Sequence, residues 1–80
     1  MTPEEIKSVL EAQLPDCSAR VVSDDQTHYE AIVVSSAFAG KRPLQRHQLV
    51  YQALGDSVGR EIHALSIQAY SPDEWAAQPR

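Results

Sequence analysis

Eighty residues, 42% hydrophobic and 22% charged, make a globular chain with room for one modest core, read as a single domain over residues 1–80. Seven basic against eleven acidic side chains give a formal charge of -4, which excludes a surface that follows a phosphate backbone along its whole length and leaves only a local basic patch for that role. The single Cys17 allows no internal disulfide, no apolar run approaches the roughly 20 residues of a membrane helix, and no charged-then-apolar leader opens the chain, so a soluble cytoplasmic protein is expected.

Thr2-Pro-Glu-Glu5 predicts a helix start. The Thr2 hydroxyl can accept from the third helical position, Pro3 suits the first, and Glu5 can reach back to close a capping box. Ile6, Val9, Leu10 and Leu14 then form one apolar stripe, and Pro15 stops the helix near Leu14. Ala19 to Ser23 and His28 to Ser35 read as strands joined by the hairpin loop Ser23-Asp-Asp-Gln-Thr27. Consecutive Val33 and Val34 predict that this end of the second strand is covered on both faces.

Pro43 suits the first position of a second helix running to about Leu54, its core side assigned to Leu44, His47, Tyr51 and Leu54 with Val50 beside them. A weak helical turn around Asp56 to Val58, bracketed by Gly55 and Gly59, leads to a third strand from Ile62 to Tyr70. Its alternation puts His63, Leu65, Ile67 and Ala69 on the apolar side and Ala64, Ser66, Gln68 and Tyr70 on the other. Ser71-Pro-Asp-Glu74 repeats the capping pattern and starts a short last helix that carries Trp75 and frays by Pro79. Tyr70 and Trp75 are expected to pack on the core.

The order is therefore αββα(turn)βα, an α+β fold. A short loop pairs the first two strands antiparallel, and a helical crossover makes the second and third parallel. If those two are neighbours, their starts share one end of the sheet about 4.8 Å apart. His28 opens one and His63 the other, so two imidazoles could converge there. Imidazole suits zinc, copper or iron, but two are too few to close a site. Asp24, Asp25, Cys17 or another protein would supply the rest, and the alternative is that each histidine simply hydrogen-bonds to backbone or water at a strand edge. His47, on a helix between Leu44 and Tyr51, reads as packing.

The run Arg60-Glu-Ile-His-Ala-Leu-Ser-Ile-Gln-Ala-Tyr-Ser-Pro-Asp-Glu-Trp75, with Thr27-His-Tyr29, Ser35-Ser-Ala-Phe-Ala-Gly40 and Leu44-Gln-Arg-His-Gln-Leu-Val-Tyr51, resembles the BolA family, and within it the short, acid-stress-linked bacterial (IbaG-like) branch. The resemblance spans nearly the whole chain. It implies an α/β sandwich similar to a type II KH domain, with a three-stranded mixed sheet. It also implies a monothiol glutaredoxin as partner and a [2Fe-2S] cluster shared with glutaredoxin and glutathione, with no cofactor held tightly by this chain alone. His63 would be one ligand to iron. The family's second ligand is a His or Cys in the loop between the first two strands; Ser23 to Thr27 contains neither, which leaves His28 as the nearest candidate. Cys17 precedes the first strand and reads as an incidental thiol.

A second function follows from the KH-like fold and from family members described as transcriptional regulators. Lys41, Arg42 and Arg46 gather at the start of the second helix, where they could hold phosphate in DNA or dock an acidic partner face. No Gly-X-X-Gly clamp accompanies them, because Gly55-Asp-Ser-Val-Gly59 has the wrong spacing. Catalysis is the least favoured class. The chain has no Gly-X-Ser-X-Gly elbow, Walker loop or Cys-X-X-Cys pair. Whether the free protein forms a weak homodimer is left open by the sequence.

Overall fold

Three capping residues set the helical boundaries. Thr2 accepts from the Glu5 N–H at 3.1 Å while the Glu5 carboxylate takes the Thr2 N–H at 2.8 Å. Ser71 and Glu74 repeat this box at 2.8 and 3.2 Å. Ser35, fully buried, accepts from the Ala37 N–H at 3.2 Å and donates to the Pro15 carbonyl at 2.6 Å. The structure, a computed structural model, describes residues 1–58, 60, 62 and 64–79. Its elements are α1 (Pro3–Gln13), β1 (Ser18–Val22), β2 (His28–Val34), a single 3-10 turn (Ser36–Phe38), α2 (Pro43–Leu54), a second 3-10 turn (Gly55–Ser57), β3 (Ala64–Tyr70) and α3 (Pro72–Ala76).

The sheet is mixed and ordered β1-β2-β3. β1 runs antiparallel to β2 with Ser18 opposite Val34 and Val22 opposite Glu30. β2 runs parallel to β3 with His28 opposite Ala64 and Val34 opposite Tyr70. The expected α+β order and strand directions are thus the observed ones, with β1 beginning one residue earlier and β2 ending one residue earlier than the sequence suggests. Ser35 leaves the strand because its side chain turns to cap the following turn, although its N–H still reaches the Tyr70 carbonyl at 3.0 Å.

Both long helices pack on one face of the sheet. Ile6, Leu10 and Leu14 of α1 meet Val50 and Leu54 of α2 over Ala19, Tyr29, Ala31 and Val33, with Phe38 and Ile62 filling the ends of the layer. Leu65, Ile67 and Ala69 join them, so the period-2 pattern of β3 holds from Ala64 onward. Ile62 does not follow it. It is buried because it bridges Val58 and its N–H returns to the Ser57 carbonyl at 3.1 Å, which makes it part of the preceding turn.

The other sheet face carries Arg20, Val22, Glu30, Ile32, Ser66 and Gln68. At its far end Val34 and Trp75 line a shallow depression with Ser18, Arg20 and Ile32. This accounts for the consecutive valines: Val33 enters the core, and Val34 lies half-buried on the α3 side. Tyr70 and Trp75 therefore do not belong to the main core; their rings meet each other at 5.3 Å between centroids and 52° between planes.

α2 corrects the expected helix face. Val50 and Leu54 are buried as expected, supported by Leu49 and Ala53, whereas Leu44 and Tyr51, also assigned to the core side, are 69% and 41% exposed. The buried seam lies at the i, i+4, i+8 positions 46, 50 and 54. Sequence alone hides it because its first member is an arginine. Among the described residues, no helix is long and apolar enough to cross a membrane.

Candidate functional site

The loop from Ser23 to Thr27 is built around Asp25. One carboxylate oxygen of Asp25 accepts from the N–H groups of Thr27 at 3.0 Å and His28 at 2.9 Å. The Ser23 hydroxyl donates to the His28 carbonyl at 2.6 Å and accepts from the Gln26 N–H at 2.9 Å. Gln26 takes a left-handed backbone (φ 58°), and the buried Tyr29 hydroxyl braces the turn against the Gln26 carbonyl at 2.6 Å and the Met1 carbonyl. Short polar side chains and one left-handed residue thus close the hairpin and deliver His28 to the first position of β2.

His28 projects outward with its side chain 70% exposed. Its Nδ1 lies 2.8 Å from the second oxygen of Asp25 and 3.1 Å from the Thr27 hydroxyl. Those bonds, the backbone ones first, hold the Asp25 carboxyl well below the usual carboxylate range, so it is ionised at neutral pH. The sequence raises Asp25 as a direct ligand. Both of its oxygens are instead committed to the loop and to His28, which makes it the anchor of the imidazole.

The parallel register places the start of β3 beside this histidine. Ala64 is the register partner of His28, and its N–H donates to the Thr27 carbonyl at 3.2 Å. A cavity of about 410 Å³ opens there, lined by Ser23, Asp24, Asp25, His28, Ala64 and Ser66 among others. His63 precedes Ala64 in the chain but lies outside the described residues, as do Gly59 and Glu61. Among the described residues, no group of three or more His, Cys, Asp and Glu side chains is placed to hold a metal ion.

Cys17 is not available to this end of the sheet. It precedes Ser18, which pairs with Val34, so it stands at the opposite end of β2, about 20 Å away at strand spacing. The half-buried thiol is pushed up to about 11, first by burial and then by Glu11. It stays protonated at neutral pH.

The basic group at the start of α2 divides in two. Lys41 and Arg42 are exposed, whereas the Arg46 side chain is only 12% exposed. Its guanidinium donates to the Lys41 carbonyl at 2.9 Å, to the Ala69 carbonyl at 2.9 Å, and to both Glu74 oxygens at 2.6 and 3.1 Å. Four of its five N–H groups are spent within the fold. Arg46 is therefore a clamp tying α2 to β3 and α3, which leaves Lys41 and Arg42 as the freely exposed members of the basic group expected to hold phosphate or a partner. The sequence carries no local signal of this, because Glu74 lies 28 positions away.

A mixed three-stranded sheet, two helices on one face and a histidine at the start of β2 define a small α+β domain. Residues 4–74 match the family of BolA-like proteins, and the chain belongs to that family. It is 42% identical over 72 residues to mouse BolA-like protein 1 and 40% identical over 73 residues to a Vibrio cholerae protein named DNA-binding transcriptional regulator BolA, matches that cover 90% and 91% of this chain. They cover 53% and 65% of those proteins, so the chain spans about half the length of the mammalian relative. Among solved structures, a BolA protein homologue from Coxiella burnetii is 42% identical with a TM-score of 0.79, over 95% of this chain and 97% of that one. The solution structure of mouse BolA1 gives 36% and 0.82, over 98% of this chain and 71% of that one.

Proposed function

We propose that this chain is an adaptor that pairs with a monothiol glutaredoxin and supplies imidazole to a [2Fe-2S] cluster shared with that partner and its glutathione, in cluster trafficking or in iron, redox or acid-stress sensing. His63 is the first ligand and His28 the second. The observation that carries the reading is the sheet end itself: an exposed imidazole anchored through one nitrogen, register-paired with the residue that follows His63, at the mouth of a cavity. The donor chemistry fits, because neutral imidazole is a competent ligand to iron and replaces thiolate in Rieske centres. In a shared cluster the thiolates would come from the partner.

When bound, the cluster would supply one-electron chemistry and a transferable iron-sulfur unit. This chain's part would be to offer the imidazoles of His28 and His63 and to leave the remaining positions to its partner. The test is to add the protein to a glutathione-ligated monothiol glutaredoxin cluster and record visible absorption and circular dichroism. Wild type should change the spectrum, His63→Ala should not, and His28→Ala should give a third, less stable species. An identical spectrum before and after adding wild type would overturn the reading.

A second reading, DNA-linked regulation, is favoured by one observation: the Vibrio cholerae relative bears that function in its name. It would rest on exposed Lys41 and Arg42 alone, and Arg42→Ala would then lower the slope of log affinity against log salt by about 0.9.

A further inference from the structure

We infer that Asp25 is a positioning residue for His28, holding the ring in the tautomer with hydrogen on Nδ1, so that Nε2 is the atom this chain offers to a metal centre. The inference builds on the reading of His28 as a ligand. It starts from how completely the carboxylate is fixed. The Thr27 and His28 N–H groups hold one oxygen at 3.0 and 2.9 Å and so set the carboxylate's rotation, which aims the other oxygen at Nδ1 at 2.8 Å. An ionised carboxylate can only accept. Nδ1 must therefore carry the hydrogen, and in the neutral ring the free lone pair is on Nε2. The Thr27 hydroxyl, 3.1 Å from Nδ1, closes the same side of the ring.

Carboxylates behind metal-bound histidines fix the tautomer and the ring orientation and raise the basicity of the ligating nitrogen. Here the carboxylate belongs to the hairpin turn itself, three residues before the histidine. The turn that closes β1 onto β2 and the device that orients the imidazole are one structure. A loop lacking His or Cys can in this way still orient a donor at the first position of the strand that follows it.

Asp25→Asn gives a sharp test. The two backbone N–H groups hold the new amide oxygen where the first carboxylate oxygen lies, which leaves the NH₂ facing Nδ1. That group only donates, so Nδ1 becomes the acceptor and the ring hydrogen moves to Nε2. Long-range proton–nitrogen correlation spectra recorded at pH 8 should show His28 protonated at Nδ1 in wild type and at Nε2 in Asp25→Asn. Asp25→Ala should give a mixture of the two tautomers, and backbone amide spectra verify that each variant is folded. Titration of the free chain with zinc ion, followed on the His28 ring, should show about ten-fold or greater loss of affinity in Asp25→Asn.

A wild-type ring protonated at Nε2, or tautomer and zinc affinity unchanged by Asp25→Asn, would overturn the inference. Neither measurement involves glutaredoxin. A tautomer that responds to Asp25→Asn beside a shared-cluster spectrum indifferent to His28→Ala would therefore leave Asp25 as the positioning residue and remove His28 from the cluster's ligands.

Discussion

Arg46 separates scaffold from site, and Arg46→Ala tests the separation. The substitution removes two charge-assisted bonds to carbonyls, at 2.9 Å each, to Ala69 in a half-buried setting and to Lys41 at the surface. A net bond from a charged donor contributes about 1.5–3 kcal/mol when sheltered and nearer 0.5–1 kcal/mol when exposed, so the loss is about 2–4 kcal/mol. The pairing with half-exposed Glu74 acts in the same direction. An 80-residue domain typically holds about 4–12 kcal/mol in total. The midpoint of thermal unfolding should fall by roughly 8–32 °C at about 4–8 °C per kcal/mol. Arg42→Ala, at an exposed site, should stay within about 0.5 kcal/mol of wild type. Urea unfolding of the three proteins followed by Trp75 fluorescence is the assay. Arg46→Ala as stable as Arg42→Ala, with a comparable loss of partner or DNA affinity, would refute the clamp and return Arg46 to the binding surface.

The remaining expectations concern pH and packing. Glu74 is held down to about 2, first by the hydrogen bond from Arg46. A depressed carboxylate pKa stabilises the fold fully above its unfolded value near 4.5 and loses that contribution as pH falls toward 2, so urea midpoints should decline through this window, and less steeply in Arg46→Ala. Phe38, fully buried between the helices and the sheet, should cost about 3–5 kcal/mol on replacement by alanine, measured by the same unfolding curves; a loss below 1 kcal/mol would contradict its place in the core. On α2, Leu54→Ala should cost about 2–5 kcal/mol and Leu44→Ala within about 0.5 kcal/mol. Reversed values would mean that the helix is rotated.

Local chemistry explains which features were legible in the sequence. Thr2 with Glu5, Ser71 with Glu74, and Pro43 mark helix starts because capping acts over three or four residues. Strand directions followed from loop length, and with them the meeting of the β2 and β3 starts at one end of the sheet. The α2 face was misread because Leu44 and Tyr51 look like core residues, while the position that belongs to the seam is held by an arginine whose charge is satisfied by Ala69 and Glu74. Asp25 was considered as a ligand because a sequence displays a carboxylate without showing that both of its oxygens are occupied. Ser35 gave no sign of its role either; its bond to Pro15 joins the end of α1 to the end of β2 across 20 positions. His63, singled out in the sequence by the alternation of the third strand and by the family signature, lies outside the described residues, and its side chain is the one to examine directly.

The most direct measurement is pulsed electron paramagnetic resonance on the reduced [2Fe-2S] heterocomplex, with nitrogen-15 histidine incorporated only into this chain. The shared-cluster reading expects nitrogen-15 couplings from directly bound imidazole, reduced in His28→Ala and reduced again when His63 is also replaced by alanine. A reduced cluster showing no histidine coupling from this chain would contradict it.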